Sequence, residues 1–442
     1  MSEKRKDYFK ISLEYHKFYG GKIEVIPKVP IEKLEDFAIW YTPGVAEPCR
    51  AISRDPEFVF ELTSKWNMIA VVTDGTRILG LGNIGPLAGL PVMEGKALLF
   101  KYLGGVDAVP LSIGTTDADK FIEVVKLLEP SFGGINLEDI ESPKCFYILE
   151  RLREELNIPV WHDDQQGTAL VTLAGLINAL KIVGKKLQEV RIAIIGAGAA
   201  GTSIAKYLMK AGVKPGNIIM VDSKGILHPD RPDLKKPDPW LKWKKWLAEV
   251  TNAERRTGHI PEAMKDADIV IGVSRPGPGI IKKEWIKLMS SDPIVFAEAN
   301  PIPEIWPWEA KEAGARIVAT GRSDFPNQVN NSLGFPAVFR GALQVRARKI
   351  TDEMCIAAAY AIAKHAEEKG IDEEHIIPTM EDTELYVKEA IAVALKAMEE
   401  GIARRKVSRQ TLEEEIREII YRAQEITKHL YRQGFIRKPP SI

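Results

Sequence analysis

Two short stretches of the sequence end in paired acids. INLED closes on Glu138 and Asp139, and IPVWHDDQQGTA sets Asp163 and Asp164 between an apolar run and a long apolar segment. Carboxylates without cysteine or histidine partners suit a hard cation such as Mg2+ or Mn2+, which takes oxygen ligands in octahedral geometry. Adjacent residues on a straight strand point to opposite faces. Glu138 and Asp139 can therefore share an ion only if the chain turns there, and the following ESP (141–143) favours a turn. The spacing leaves a second reading open, surface acids in capping roles at helix starts, where Asp and Thr serve well. His162 reads as a structural, hydrogen-bonding histidine rather than a ligand.

Three basic or polar stretches could face those acids. VTDGTRILG offers Arg77, which could grip a carboxylate through two parallel hydrogen bonds. MEGKALLF offers Lys96 at the head of an apolar run. Desolvated beside a metal and Arg77, its ammonium would be disfavoured, so it could serve as a base near neutral pH; a snorkelling surface lysine is the alternative. YTPGVAEPCR places Tyr41 in an extended segment held by Pro43. No HExxH motif and no Ser/His/Asp elbow occurs.

A further stretch, IIGAGAAG, matches G-x-G-x-x-G at Gly196, Gly198 and Gly201. It follows a strand-like run and opens a helix, and a second strand-like run ends in Asp222 about 20 residues further on, which is the context a dinucleotide site requires. The turn Gly196, Ala197, Gly198, Ala199, Ala200 and Gly201 would present a helix N-terminus to a pyrophosphate. Asp222 would accept from a ribose 2′-hydroxyl, favouring NAD, yet Ser223 and Lys224 follow at once and either could hold a 2′-phosphate, so NADP stays open.

The elements that must position these residues fall into three zones. Residues 1–164 mix helices with strand-like runs at 68–75, 108–114 and 132–139, and form a substrate and metal domain. Residues 165–335 alternate strands and helices, with apolar runs at 190–196, 217–222, 267–274, 293–300 and 315–321. Near-continuous apolar strands between amphipathic helices indicate a parallel sheet covered on both faces. Asn300, Asn330 and Asn331 follow the last two runs, at the strand ends where open α/β folds bind ligands. The Trp/Lys-rich stretch 235–250 reads as a surface loop and helix. Residues 336–442 read as amphipathic helices packing on the first zone. The fold class is α/β: a Rossmann-type doubly wound parallel sheet, an N-terminal mixed α/β domain and C-terminal helices.

Composition narrows the class. The 442 residues carry 61 basic and 61 acidic side chains, so no net charge points to nucleic acid or an anionic membrane. Three dispersed cysteines fit a reducing cytoplasm and exclude a zinc knuckle. The charged N-terminus, with no apolar run behind it, does not read as a signal peptide, and no uninterrupted apolar stretch approaches the ~18 residues of a membrane helix.

Taken together, YTPGV, VTDGTRILGLGNIG, PVMEGKALLF, INLEDI, WHDDQQGTA, IGAGAAG, ANPIPEI and GRSDFPNQVNN occur in the order of the malic enzymes, and the chain resembles their short microbial type over nearly its whole length. The resemblance implies oxidative decarboxylation of L-malate to pyruvate and CO2 with NAD or NADP and Mg2+ or Mn2+. It implies Lys96 as general base and Tyr41 as general acid. Glu138, Asp139 and Asp164 would be metal ligands, with Asp163 supporting them. Arg77 would hold a malate carboxylate, and Asn300 and Asn331 would contact substrate and nicotinamide. It also implies a homodimer or higher oligomer, and an end near residue 442 without the phosphotransacetylase-like extension of some members. A malolactic enzyme and a metal-independent amino-acid dehydrogenase are the competing readings.

Overall fold

The computed structural model describes residues 7–441. The charged Met1–Lys6 segment, on which part of the signal-peptide reading falls, lies outside them. Two parallel sheets organise the chain. The first has strands β1 (Met68–Thr73), β2 (Asp107–Ser112), β3 (Gly134–Leu137) and β4 (Val160–His162) in the order β2-β1-β3-β4. The second has β5 (Ile192–Ile195), β6 (Ile218–Asp222), β7 (Gly225–Ile226), β8 (Ile269–Gly272), β9 (Ile294–Ala297) and β10 (Ile317–Thr320), ordered β10-β9-β8-β5-β6-β7. All its pairings are parallel except the short β6–β7 edge, a hairpin that the sequence reading did not anticipate.

The apolar strands are buried because helices cover both faces of each sheet. One continuous core runs from Ile69 and Val71 of β1, through the Thr168–Val183 helix, to Ile192 and Ile194 of β5 and on into the C-terminal helices. Phe121, Ile135 and Leu149 fill the other face of the first sheet, and Val221, Val270 and Val295 fill that of the second. The Thr168–Val183 helix is thus the shared wall between the sheets. The stretch Asp163–Val183 is long and apolar enough to cross a membrane by length and composition, contrary to the sequence expectation; 72% of its most apolar window is buried inside the fold. Its apolarity is that of a core helix, mostly clothed by protein.

C-terminal to β10, the Phe335–Gln344 and Arg409–Arg432 helices pack on the Pro86–Gly104 helix, and the Asp352–Lys369 helix packs on Thr168–Val183. The N-terminal region behaves differently. Its helices Tyr8–Tyr19, Leu34–Trp40 and Ala46–Arg54 contain no buried residue. Lys22 ties this arm to the body, its amide to Glu94 at 3.0 Å and its ammonium to the Pro91 carbonyl at 2.8 Å.

Candidate active site

A cavity of about 2010 Å³ runs between the two sheets. Arg77, Lys96, Glu138, Asp139 and Asp164 line one end, the Gly196–Ala200 turn and Asp222 line the other, and Asn300, Asn330 and Asn331 lie along it. Most of the sequence-predicted residues therefore share one chamber; Tyr41, Asp163, Gly201 and Lys224 do not line it.

The acids converge because β3 ends in a sharp turn. Asp139 adopts φ 55°, in the left-handed region. Its carbonyl accepts from the Arg77 amide at 3.0 Å, and its side chain accepts from the Leu79 amide at 3.1 Å. Each of Glu138, Asp139 and Asp164 brings a carboxylate oxygen to within 4.8 Å of the others. Burial and the crowding of like charges push Asp139 up to about 8 and Glu138 well above the carboxylate range. Asp139 Oδ2 is buried without a hydrogen-bond partner. Three oxygen donors, one of them orphaned, in a crowd of like charges fit a hard dication, and the helix-start reading stands beside it, since Asp163 and Asp164 occupy a first helical turn.

Asp163 and Asp164 sit on a π-helical turn, Asp163–Gly167, that leads into the Thr168–Val183 helix. The turn sends the two neighbours in different directions. Asp164 Oδ2 accepts from the Asp139 amide at 2.9 Å and faces the acid cluster, while Asp163 is fully buried and turns to Lys96. A Cβ at Gly167 would lie 2.2 Å from Asp163 Oδ1, which is why glycine follows DDQQ.

Lys96 lies inside the Pro86–Gly104 helix, with the apolar run 97–100 directly behind it. Its ammonium bonds Asp163, stands 3.3 Å from Glu138 Oε1 and lies 4.3 Å from the Phe335 ring centre. Asp163 also accepts from Asn331 Nδ2, and from Trp161 Nε1 at 3.1 Å. Without a metal, the direction is the opposite of the lowering expected beside one. Burial works against the charge, but Asp163, Glu138 and Asp164 outweigh it and hold Lys96 above the ordinary lysine value.

His162 also departs from expectation. It is fully buried, its two ring nitrogens have no hydrogen-bond partner, and burial depresses its pKa. Nδ1 stands 3.6 Å from Asp164 Oδ2.

At the other end, a Cβ on Gly201 would lie 1.8 Å from the Gly196 carbonyl oxygen, so the close strand–helix packing of the motif is real. Asp222 is not a free acceptor. Arg231 reaches its two oxygens at 2.9 and 3.1 Å, and Lys244 adds a contact at 2.8 Å. Lys224, expected to be a possible phosphate ligand, pairs with Asp233 at 3.2 Å.

Lys244 comes from the Trp/Lys-rich stretch, which is more than a surface loop. Trp243 packs its ring at a tilt against Phe146, centres 5.0 Å apart, and donates to Glu150 at 2.7 Å, strapping the second sheet's domain to the Lys144–Glu155 helix.

Tyr41 stands apart from the site altogether. It caps the Leu34–Trp40 helix on the arm, its side chain is 71% exposed, and it does not line the cavity.

A glycine turn at a helix start, an acid at the end of the next strand and a lysine–carboxylate cluster across the cavity define a nicotinamide-dinucleotide oxidoreductase. Two family descriptions cover most of the chain: "Malic enzyme, N-terminal domain" matches residues 20–153 and "Malic enzyme, NAD binding domain" matches residues 165–399. The chain is 51% identical over 412 residues to the bifunctional malic/malolactic enzyme of Bacillus subtilis, covering 92% of this chain and 97% of that one. It is 43% identical to the NADP-dependent malic enzyme of Escherichia coli, covering 97% of this chain and 57% of that one. The malic enzyme structures from Pyrococcus horikoshii (58% identity, TM-score 0.91, 96% of this chain and 98% of that one) and Entamoeba histolytica (48%, 0.95, 98% and 90%) share its fold. The chain belongs to the malic enzyme family, and the NAD(P)-linked oxidation of malate implied by the sequence resemblance is the activity for which the family is named.

Proposed function

We propose that this chain oxidatively decarboxylates L-malate to pyruvate and CO2, with Lys96 as the proton-transfer group. The observation that carries the assignment is Lys96 itself. It is a buried ammonium joined to Asp163, beside Glu138, in the cavity that runs to the glycine turn.

Lys96 Nζ holds and moves the C2-hydroxyl proton. Asp163, locked by Trp161 and Asn331, aims it. Arg77 grips a substrate carboxylate, and Asn300 and Asn331 orient substrate and dinucleotide. Glu138, Asp139 and Asp164 would hold the Mg2+ or Mn2+. That ion supplies Lewis acidity at the C2 oxygen and an electron sink for loss of CO2. A cation on those carboxylates also opposes the charges that keep Lys96 protonated, which suits the lysine to accepting a proton.

Tyr41 suits protonation of C3, but its own chain does not bring it to the cavity. We infer that the enzyme is a homo-oligomer in which the arm of one copy delivers Tyr41 to the site of another. The support is an arm rich in exposed apolar side chains, among them Phe9, Val25, Leu34 and Phe37, and buried at none of them. Such a surface marks an interface.

Initial rates with L-malate, Mn2+ and each of NAD+ and NADP+ test the reading. Reduced dinucleotide should form only with malate and metal, and its absence with both cofactors would refute the activity. Because the 51%-identical relative is named bifunctional, lactate should be assayed alongside. Lactate without net reduced dinucleotide would mark the malolactic course instead.

A further inference from the structure

The cavity continues past Asn300 to the carboxyl end of β9, where Glu298 lines it. Glu298 is 8% exposed, and among the described residues no cation pairs with it. Its partner is neutral: Thr172 Oγ1 lies 2.9 Å from each carboxyl oxygen. The same hydroxyl lies 2.7 Å from the Thr168 carbonyl, one turn back along its helix. A hydroxyl has a single proton to give. With that proton on Thr168, only a protonated Glu298 can complete the bond to Thr172.

The surroundings favour the neutral acid. Burial pushes the carboxyl up to about 8 against the pull of Thr172, and Glu304 adds its charge. Glu304 is held by the amides of Ser274 at 3.0 Å and Ala299 at 3.1 Å. Arg322, after β10, is committed to Asp324 and the Pro301 carbonyl.

The fold says what reaches this carboxyl. The Gly196–Gly201 turn after β5 takes the pyrophosphate, and Asp222 at the end of β6 marks the adenosine side. The other half of a dinucleotide must extend across β8 and β9. That end of the molecule changes charge in the reaction, because the oxidised nicotinamide ring is a cation and the reduced ring is neutral.

We propose that Glu298 is the counter-charge for the oxidised ring, a neutral acid in the free protein that releases its proton to solvent when the cationic ring occupies the β9 end of the cavity. Hydride transfer leaves the ring neutral, and the carboxylate takes a proton back. The proposal rests on dinucleotide binding alone, not on the roles given to Lys96 or Tyr41. A group that loses its proton on binding makes the ligand bind more tightly as pH rises.

Calorimetric Kd values for NAD+, NADP+ and their reduced forms, from pH 6.5 to 9 with saturating Mg2+ and no malate, test this. Oxidised cofactor should tighten about tenfold across that range if the ring lowers the carboxyl by about one pH unit. The heat should depend on buffer ionisation in the sense of proton release. Reduced cofactor should stay flat. Glu298→Gln keeps shape and removes the proton, so its oxidised-cofactor Kd should be flat at the weak, low-pH value. Asp139 is also raised to about 8 and remains intact in that variant. An equal slope for reduced cofactor, a flat wild type, or a slope that survives in Glu298→Gln overturns the proposal. Should the variant fail to fold, the oxidised-against-reduced comparison in wild type decides.

Discussion

The arm and the β4 junction place chemistry in opposite ways. At the junction, Asp163, Gln165, Gln166 and Gly167 are buried, and the side chains of Asp163, Gln165 and Gln166 have partners within the chain. On the arm, no residue from Asp7 to Val59 is buried, yet Tyr41 sits there with a row of bare apolar side chains. Buried acids can be held close together only by a rigid frame, since each would otherwise seek water. A tyrosine can be presented on a surface and still react elsewhere. Lys96 and the acid cluster are thus positioned by one chain, and the proposed trans delivery of Tyr41 is the part that the variants below test.

The largest effect should come from the self-contained half. Lys96→Ala removes the proton carrier and leaves Asp163 buried without its cation. Turnover should fall by about 10³-fold or more, within the range for general acid–base groups. Cofactor affinity, measured by calorimetry, should stay near wild type. Turnover within tenfold of wild type would dislodge Lys96 from its role. Tyr41→Phe should be the next most damaging, about 10²-fold in pyruvate formation.

Those two variants together break or sharpen the contrast directly. If Tyr41 serves another copy, a hybrid of one Lys96→Ala chain and one Tyr41→Phe chain contains one intact site. Random co-refolding as dimers should then recover about a quarter of wild-type activity. If Tyr41 instead folds back onto its own chain's cavity, mixing recovers nothing. Sedimentation of the wild type supplies the control, and a monomer that turns over malate would end the trans arrangement.

The same contrast explains how much the sequence could tell. Strand positions were legible because they depend on local apolar runs; β5, β6, β8, β9 and β10 each fall within the run that announced them. The acids' strand-end positions were legible, but spacing left their role open, and the set Glu138, Asp139 and Asp164 came from the family resemblance; the structure brings those three together. Pairings across long separations were not. Asp163 with Lys96, 67 residues apart, and Thr172 with Glu298, 126 apart, carry no local signature. The direction of the lysine's pKa without a metal was hidden for that reason, since it depends on which carboxylate faces it. Arg231 lay within reach of a closer reading, because an arginine nine residues beyond a strand-end aspartate in a tight β6–β7 turn can fold back onto it. Tyr41 could be named by its motif but not placed, because nothing local in YTPGV says that the arm leaves it exposed and away from the cavity.

Metal removal should have a moderate effect confined to the junction. Asp139 has a folded pKa near 8 against about 3.9 unfolded. The folded protein therefore binds an extra proton between those values. Its contribution to stability is present below about pH 4 and is lost as pH rises through 8. Metal-free protein should thus weaken from pH 5 to 8 by a few kcal/mol in denaturant titrations, at roughly 1.4 kcal/mol per pH unit at most. Saturating Mg2+ should cancel the slope, and Asp139→Asn should reduce it in metal-free protein. A metal-free slope of the opposite sign would show that the carboxylates are not crowded as described.

The smallest effect should lie at Lys244, on the self-contained side again. Lys244 and Arg231 together cancel the charge of Asp222, and Lys244, at 35% side-chain exposure, is the one that lines the cavity. Lys244→Gln leaves Arg231 on the carboxylate and removes one positive charge from the cavity wall. A 2′-phosphate should feel that loss more than a 2′-hydroxyl, since an exposed charge contact contributes about 1 kcal/mol or less. The ratio of NADP+ to NAD+ affinity should therefore fall a few-fold, with kcat for malate unchanged. Because the strap is anchored through Trp243 on the same chain's Lys144–Glu155 helix, the shift should not depend on protein concentration. A concentration-dependent shift would mean that the cofactor end, like Tyr41, is shared between copies, and the division drawn between arm and body would fall in the wrong place.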